Sequence, residues 1–336
     1  MVLSFGEILL RLAPDANGEW LNKNALDVYP GGSELNVAVA LAKWRVPVSY
    51  CTAVPENFLS AQLIKYVEAQ NIDTSTVIYN GAKVGLYYLL QGKEIQHAEI
   101  IYDRKYSAFY ELKPGMINWD KALQGIRWFH FSAISPALSV NVAAVCKEAL
   151  EACAKKSITV SVDLNYRPKL WQYEKHPNEI MPGLLQYCDI VMGNIWAAET
   201  MLNIKVSGNI HEINTKENYV QQAKKTSAEI IKQYPRCKIV ANTFRFHKSN
   251  IEYYAAIFST GNLYVSASYT INEAIDKVGS GDCFMAGLIY GVYNHLPFQQ
   301  TVNFATAAAF QKLFIKGDST DKTAEEIKSF ILHHHA

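Results

Sequence analysis

The residues best suited to chemistry in this 336-residue chain lie in the run Asp276-Lys-Val-Gly279-Ser280-Gly281-Asp282, which leads into the apolar stretch Cys-Phe-Met-Ala-Gly287. Two glycines around a serine let the backbone fold so that successive N–H groups converge on one point. The dipole of a following helix adds positive potential there. Gly279, Ser280 and Gly281 therefore form a place for a phosphate, or for charge developing on one. Asp282, in the first turn of that helix, has two uses open to it. It could cap the helix, a common use of aspartate. It could also be a general base that takes the proton from an attacking hydroxyl while the neighbouring amides stabilise a transferring phosphoryl group.

A second glycine pair opens the run Gly31-Gly32-Ser33-Glu34-Leu35-Asn36. Gly31 and Gly32 permit close backbone approach, and Asn36 carries both a donor and an acceptor, which suits sugar hydroxyls. No G-x-x-x-x-G-K-[ST] loop and no H-R-D or D-F-G set is present, so phosphoryl transfer would need a different scaffold.

The elements that would hold these residues alternate along the chain. Strand-like runs cover Val2 to Leu10, Val48 to Ala53, Arg127 to Ser132, Ile158 to Leu164, Asp189 to Met192 and Lys238 to Asn242. Helix-length amphipathic runs cover Glu34 to Trp44, Phe58 to Gln70, Val140 to Lys155 and Tyr219 to Gln233. This rhythm predicts an α/β fold with a doubly wound, mostly parallel sheet, whose ligands collect at the carboxyl ends of the strands. One region breaks it. Val84 to Gln91 and Glu94 to Tyr102 read as strands around a Gly92-Lys93 turn, and a hairpin cannot easily join a parallel sheet. With the irregular segment Asp15 to Pro30, it is expected to form a small β lid, made from about 13–32 and 83–104, on one domain spanning 1–336.

Composition narrows the function classes. The formal charge of +1 gives no footprint for nucleic acid or an anionic membrane surface. The six cysteines show no zinc spacing, which predicts reduced, mostly buried thiols in a cytoplasmic protein. MVLSFGEILLRL lacks the features of a secretory leader, and no membrane span is predicted. His333 to His335 are set aside as a tail. His130, inside an apolar strand, reads as a core histidine.

The two glycine motifs together, one near each end, resemble the paired signatures of the ribokinase-like (PfkB-type) carbohydrate kinases. The resemblance implies the ribokinase-like fold, ATP with magnesium, Asp282 as the base, and Gly279, Ser280 and Gly281 as the anion hole. Gly279 and Gly281 would also contact ATP. Within that family, Asp163-Leu-Asn165-Tyr166-Arg167-Pro-Lys-Leu170-Trp171 is similar to a segment of 2-keto-3-deoxygluconate kinases and of some fructokinases. It places Asn165, assigned to the nucleotide side, and Arg167 at the sheet's carboxyl edge.

Tyr102 and Arg104 lie two apart and so project on one side of a strand. Arg104 and Arg167 together could clamp a substrate carboxylate with planar forks, which a neutral sugar does not require. The resemblance further implies substrate contacts at Tyr87, Ile134 and Asp318, and phosphate contacts at Thr243 and Arg245, just past the strand ending at Asn242. The adenine pocket is expected near Ala305 to Ala309 and Lys312. One departure stands out: the family's Asn-x-x-Glu is here Asn194 followed by Ala197, with Glu199 the nearest glutamate, so no metal ligand is assigned. The expectation is an ATP-dependent kinase acting on the 6-hydroxyl of 2-dehydro-3-deoxy-D-gluconate and dimerising through its lid. The alternatives are a fructokinase-like enzyme and a catalytically silent sugar-binding or regulatory protein.

Overall fold

Strands buried on both faces need apolar residues at successive positions, and the central strands of this chain have them. Val2, Ile190, Met192, Ile239 and Ala241 enter one hydrophobic cluster, while Leu3, Phe5, Val191 and Val240 enter another. The sheet lies between the two. The computed structural model describes every residue except 15–17, 22–23, 90–99, 209, 211–214, 248–249 and 335–336.

Among the described residues, the main sheet runs in the order Asn262–Val265, Ile251–Ser259, Ile239–His247, Ile190–Met192, Thr159–Asp163, Trp128–Ser132, Val2–Phe5, Val48–Cys51. From Ile239–His247 to Val48–Cys51 all neighbours are parallel. Ile251–Ser259 pairs antiparallel with its three partners, including the short strand Tyr269–Ile271. Helix Ser33–Lys43 packs on helix Ser280–Tyr293, and both begin at the carboxyl edge of the sheet. This mixed α/β architecture matches the expectation.

A separate sheet holds four strands in the order Asp27–Gly31, Leu9–Ala13, Gly85–Tyr88, Ile101–Asp103. Pairings Arg11↔Tyr29, Arg11↔Tyr87 and Tyr87↔Tyr102 line up one row across it. Val28, Leu12, Tyr88 and Ile101 form the adjacent row on the opposite face. The expected hairpin is present as the antiparallel pair Gly85–Tyr88 and Ile101–Asp103, while its Gly92-Lys93 turn lies outside the described residues.

Several boundaries differ from expectation. Val2 to Leu10 is not one strand: it stops at Phe5, and Leu9–Ala13 belongs to the small sheet. The break falls at Glu7, whose buried carboxylate is held by Arg104 and Ser107 and cannot stand on an apolar sheet face. Thr243 to Arg245 do not follow a strand but lie inside Ile239–His247, which continues because Ile251–Ser259 pairs along its whole length. His333 and His334 are not a separate tail. They end the helix Ala324–His334, with the His334 ring stacked 3.9 Å from that of Phe330. His335 lies outside the described residues. All six cysteines are free and buried, and no described helix is long and apolar enough to cross a membrane.

Candidate active site

The carboxyl edge of the main sheet, the starts of the two packed helices and the inner face of the small sheet enclose a cavity of about 740 Å³. Helix Ser280–Tyr293 enters it through Gly279, whose φ of 76° lies in the left-handed region that favours glycine. Cys283 N is the first amide of that helix with an internal acceptor, Gly279 O at 2.8 Å. The amides of Ser280, Gly281 and Asp282 precede it, which is the usual set left over at a helix start. The Ser280 hydroxyl turns away to Ala309 O at 3.0 Å, so this residue offers the cavity its backbone only.

Asp282 lines the cavity and is 8% exposed. Its Oδ1 accepts from Ser33 Oγ at 2.7 Å and its Oδ2 from Asn36 Nδ2 at 2.7 Å. Both partners are side chains, so the carboxylate is not acting as a helix cap. Each donor is oriented in turn: Asn165 Nδ2 donates to Ser33 Oγ at 3.1 Å, and Ser319 Oγ donates to Asn36 Oδ1 at 3.1 Å. Burial pushes the Asp282 carboxyl above its ordinary 3.8, against the opposing pull of Asn36, Ser33, Arg167 and Lys312. Nearby Asp163, which also lines the cavity, is pushed by burial and by the charge of Asp282 to about 7. An oriented carboxylate beside unpaired amides can accept a hydroxyl proton while those amides receive negative charge.

A model of the pfkB family of carbohydrate kinases matches residues 1–324. This chain belongs to that family. A 2-dehydro-3-deoxygluconokinase from Thermotoga maritima has a solved structure 32% identical to it, with a TM-score of 0.90 over 98% of this chain and 99% of that one. A 2-dehydro-3-deoxygalactonokinase of Haloferax volcanii is 22% identical over 97% of this chain and 95% of its own length. A 5-dehydro-2-deoxygluconokinase of Geobacillus thermodenitrificans is 25% identical over 91% and 85%.

The kinase cavity gathers most of the residues expected from sequence: Gly32, Asn36, Tyr87, Tyr102, Arg104, Ile134, Asn165, Arg167, Thr243, Arg245, the Gly279–Gly281 turn, Asp282 and Asp318 all line it. Gly31 closes strand Asp27–Gly31 just outside. Gly32 has φ 133°, and a Cβ there would meet Glu7 O at 2.3 Å. His130 is fully buried, bonded to Ser161 Oγ at 3.0 Å and pushed down to about 3 by burial, which fits a core histidine.

Other expectations need correction. Arg104 is not a free fork, because its Nε and Nη2 both contact Glu7 Oε2, at 2.7 and 2.6 Å. Only Nη1 remains without a partner among the described residues. Asn36 is engaged with Asp282, so any sugar contact it makes shares that bond. Asn165 likewise holds Ser33. Asp318, expected at the substrate, is buried at the cavity with Arg11 Nε at 2.8 Å and the Tyr87 hydroxyl on its carboxylate, so any substrate contact it makes shares those partners. Ala305 to Ala309 and Lys312 are buried and do not line the cavity. Lys312 Nζ instead donates to Ile315 O at 3.0 Å.

Asn194, Ala197, Thr243 and Arg245 also line the cavity, and burial pushes the Arg245 guanidinium down from its ordinary value. Asn194 caps the helix Ile195–Leu202 through Ala197 N at 2.7 Å. Glu199 binds Val206 N and does not line the cavity. Among the described residues no cluster of three His, Cys, Asp or Glu could hold a metal. Of the cavity carboxylates, Asp282 and Asp318 are engaged by side chains, while Asp163 accepts only from Asn165 N at 3.0 Å among the described residues and would be available to a magnesium ion brought in with phosphates. Sequence reasoning missed Arg11, Glu7 and Ser33. Arg11 and Glu7 carried a weak signal as charges inside the apolar run GEILLRLA.

Proposed function

We propose that this kinase transfers the γ-phosphoryl group of ATP to the 6-hydroxyl of a keto-deoxy sugar acid, with 2-dehydro-3-deoxy-D-gluconate as the best specific substrate. The observation that carries this reading is Asp282, held by Ser33 and Asn36 beside the open amides of the Gly279–Gly281 turn. In it, Asp282 accepts the hydroxyl proton as the oxygen attacks phosphorus, and the turn amides take up the developing charge. Magnesium bound to the nucleotide neutralises phosphate charge. Thr243 and Arg245 face the phosphates, and Tyr87, Tyr102, Ile134 and Asp318 face the sugar. The small sheet serves as the lid of one kinase domain.

The acidic substrate rests on Arg167. It is exposed at the cavity, donates only to its neighbour's Tyr166 O at 3.1 Å, and has no carboxylate partner among the described residues. A planar guanidinium so placed fits a ligand carboxylate. The names of the three relatives, all kinases of keto-deoxy acids or closely related keto-deoxy sugars, agree with it. Turnover of 2-dehydro-3-deoxy-D-gluconate, gluconate and fructose should favour the first. Arg167→Ala should raise KM for the acid by roughly 10- to 100-fold, as expected from losing a bond to a charged group, and leave fructose turnover little changed. A clear preference for fructose by the unaltered enzyme would sink the carboxylate reading.

The base sets the pH response. Asp282 must be ionised to accept a proton, and its raised pKa means that kcat/KM should fall on acidification at a pH above the 3.8 of an ordinary aspartate. Asp163 titrates with it as a coupled pair. Because the Ser33 hydroxyl favours the ionised form, Ser33→Ala should move this acid limb to higher pH. A limb that stays in place would exclude Asp282 as its source.

The lid also bears on assembly. Val28 and Ile101 are 53% and 58% exposed in the outer row of the small sheet, beside the partly buried Leu12 and Tyr88. An apolar row on an open sheet face is suited to burial against a second copy. Sedimentation at micromolar concentration should give a dimer, and Val28→Lys with Ile101→Lys should give monomers. A monomeric unaltered protein contradicts this.

A further inference from the structure

The mechanism above gives no task to Arg11, although it is 0% exposed and stands in the middle of the inner row of the small sheet. Its Nη2 reaches Asp276 Oδ2 at 2.6 Å and its Nη1 reaches Oδ1 at 3.4 Å. On the other side its Nε lies 2.8 Å from Asp318 Oδ1, close enough for an ion pair though not aligned as a hydrogen bond. The guanidinium carbon sits 4.4 Å from the centre of the Tyr29 ring. One side chain on the small sheet thus grips two carboxylates of the core.

Those carboxylates flank the reaction centre. Asp276 opens the run into the glycine turn and ties it to the segment carrying Asp318, accepting from Val278 N at 3.1 Å just before the turn and from Gly317 N at 3.2 Å on that segment. Asp318 lines the cavity and receives the Tyr87 hydroxyl. Its carbonyl lies against Gly279. Lys312, also 0% exposed, is a second buried cation attracted to both carboxylates. Four buried charges of balanced sign are stable together and costly apart. A planar fork presents its donors to two carboxylates in one fixed geometry, which an ammonium on a flexible stem does not impose.

We propose that Arg11 is a positioning residue for phosphoryl transfer, holding Asp318 on the sugar side and the Gly279–Gly281 turn on the phosphate side in one fixed relation. The proposal rests on the kinase reading of this cavity. Through Arg11 the small sheet, the sugar-side Asp318 and the anion-binding turn behave as one body. Displacing the turn from the base by about 1 Å is enough to cost on the order of 10²-fold in rate.

The test separates positioning from simple stabilisation by using Arg11→Met and the charge-balanced pair Arg11→Met/Asp276→Asn. The single variant leaves two buried carboxylates facing one ammonium and should melt well below the unaltered protein. The pair removes one charge of each sign and should recover the part of the thermal stability lost to the charge imbalance. With ATP and 2-dehydro-3-deoxy-D-gluconate, kcat/KM of the pair should remain about 100-fold low, through both a raised sugar KM and a lowered kcat. A stable pair with unaltered kcat and KM would overturn the proposal. Should the pair not fold, Arg11→Lys keeps the charge but loses the rigid planar fork, and it should show the same kcat and KM changes in a folded protein. Unaltered kinetics in Arg11→Lys would overturn the proposal equally. An unaltered protein idle on all sugars defeats the kinase reading and this proposal with it, whereas an active one with insensitive variants defeats this proposal alone.

Discussion

Asp282→Asn should slow phosphoryl transfer by about 10² to 10⁴, with sugar affinity held within a fewfold. Asparagine matches aspartate in shape, so the cavity keeps its outline. It cannot take a proton from the attacking hydroxyl. The local hydrogen bonds can adapt: the asparagine carbonyl replaces Oδ2 as acceptor for Asn36 Nδ2, and its amide nitrogen donates to Ser33 Oγ once that hydroxyl rotates. The loss should therefore appear in kcat, while calorimetric titration of the sugar stays close to that of the unaltered protein. A variant retaining more than a tenth of the rate would remove Asp282 as the base. An unaltered protein that binds sugar but transfers nothing would support a silent sugar-binding role.

The residues that carry this prediction were readable from sequence because they sit in short motifs. Gly279 to Asp282 and Gly31 to Asn36 each combine a turn with the first turn of a helix, so local chain geometry alone places their polar groups together. That the two motifs meet could not be read from either. It follows from the packing of helix Ser33–Lys43 on helix Ser280–Tyr293, which sets Ser33 and Asn36 against Asp282 across 249 and 246 positions of sequence. Ser33 was therefore invisible as a partner of Asp282, being one serine after a glycine pair.

Arg104 shows the opposite failure. Its alternation with Tyr102 correctly turned it toward the cavity, but no local pattern reveals that Glu7, 97 residues earlier, pairs with it. The same long-range pairing explains why the first strand ends early. A buried glutamate that needs Arg104 and Ser107 pulls the chain out of the apolar sheet, so Leu9–Ala13 starts a second sheet that periodicity alone had merged with the first. Charge inside an apolar run was the available clue, at both Glu7 and Arg11. Each finds its partner only in the folded chain.

The second large effect concerns Gly279, whose alanine variant should lose both rate and stability. Its φ of 76° disfavours any side chain, and a Cβ there would stand 1.8 Å from Asp318 O. That neighbour is backbone, held by the buried network around Asp276 and Asp318, and cannot swing aside as a flexible side chain could. The turn itself must move, taking the amides of Ser280 and Gly281 away from Asp282. Loss of one aligned donor to developing charge costs about 10² to 10³ in kcat, and strained backbone at such a position costs about 1 to 3 kcal/mol. Gly281 supplies the control, because a Cβ there meets nothing within 4 Å. Gly281→Ala should melt close to the unaltered protein, and Gly279→Ala clearly below it. Steady-state kinetics at a temperature where both variants are folded separates strain from chemistry. Should folded Gly279→Ala transfer phosphate at the normal rate, the converging amides are not what stabilises the transferring group, and the proposed base must act without them.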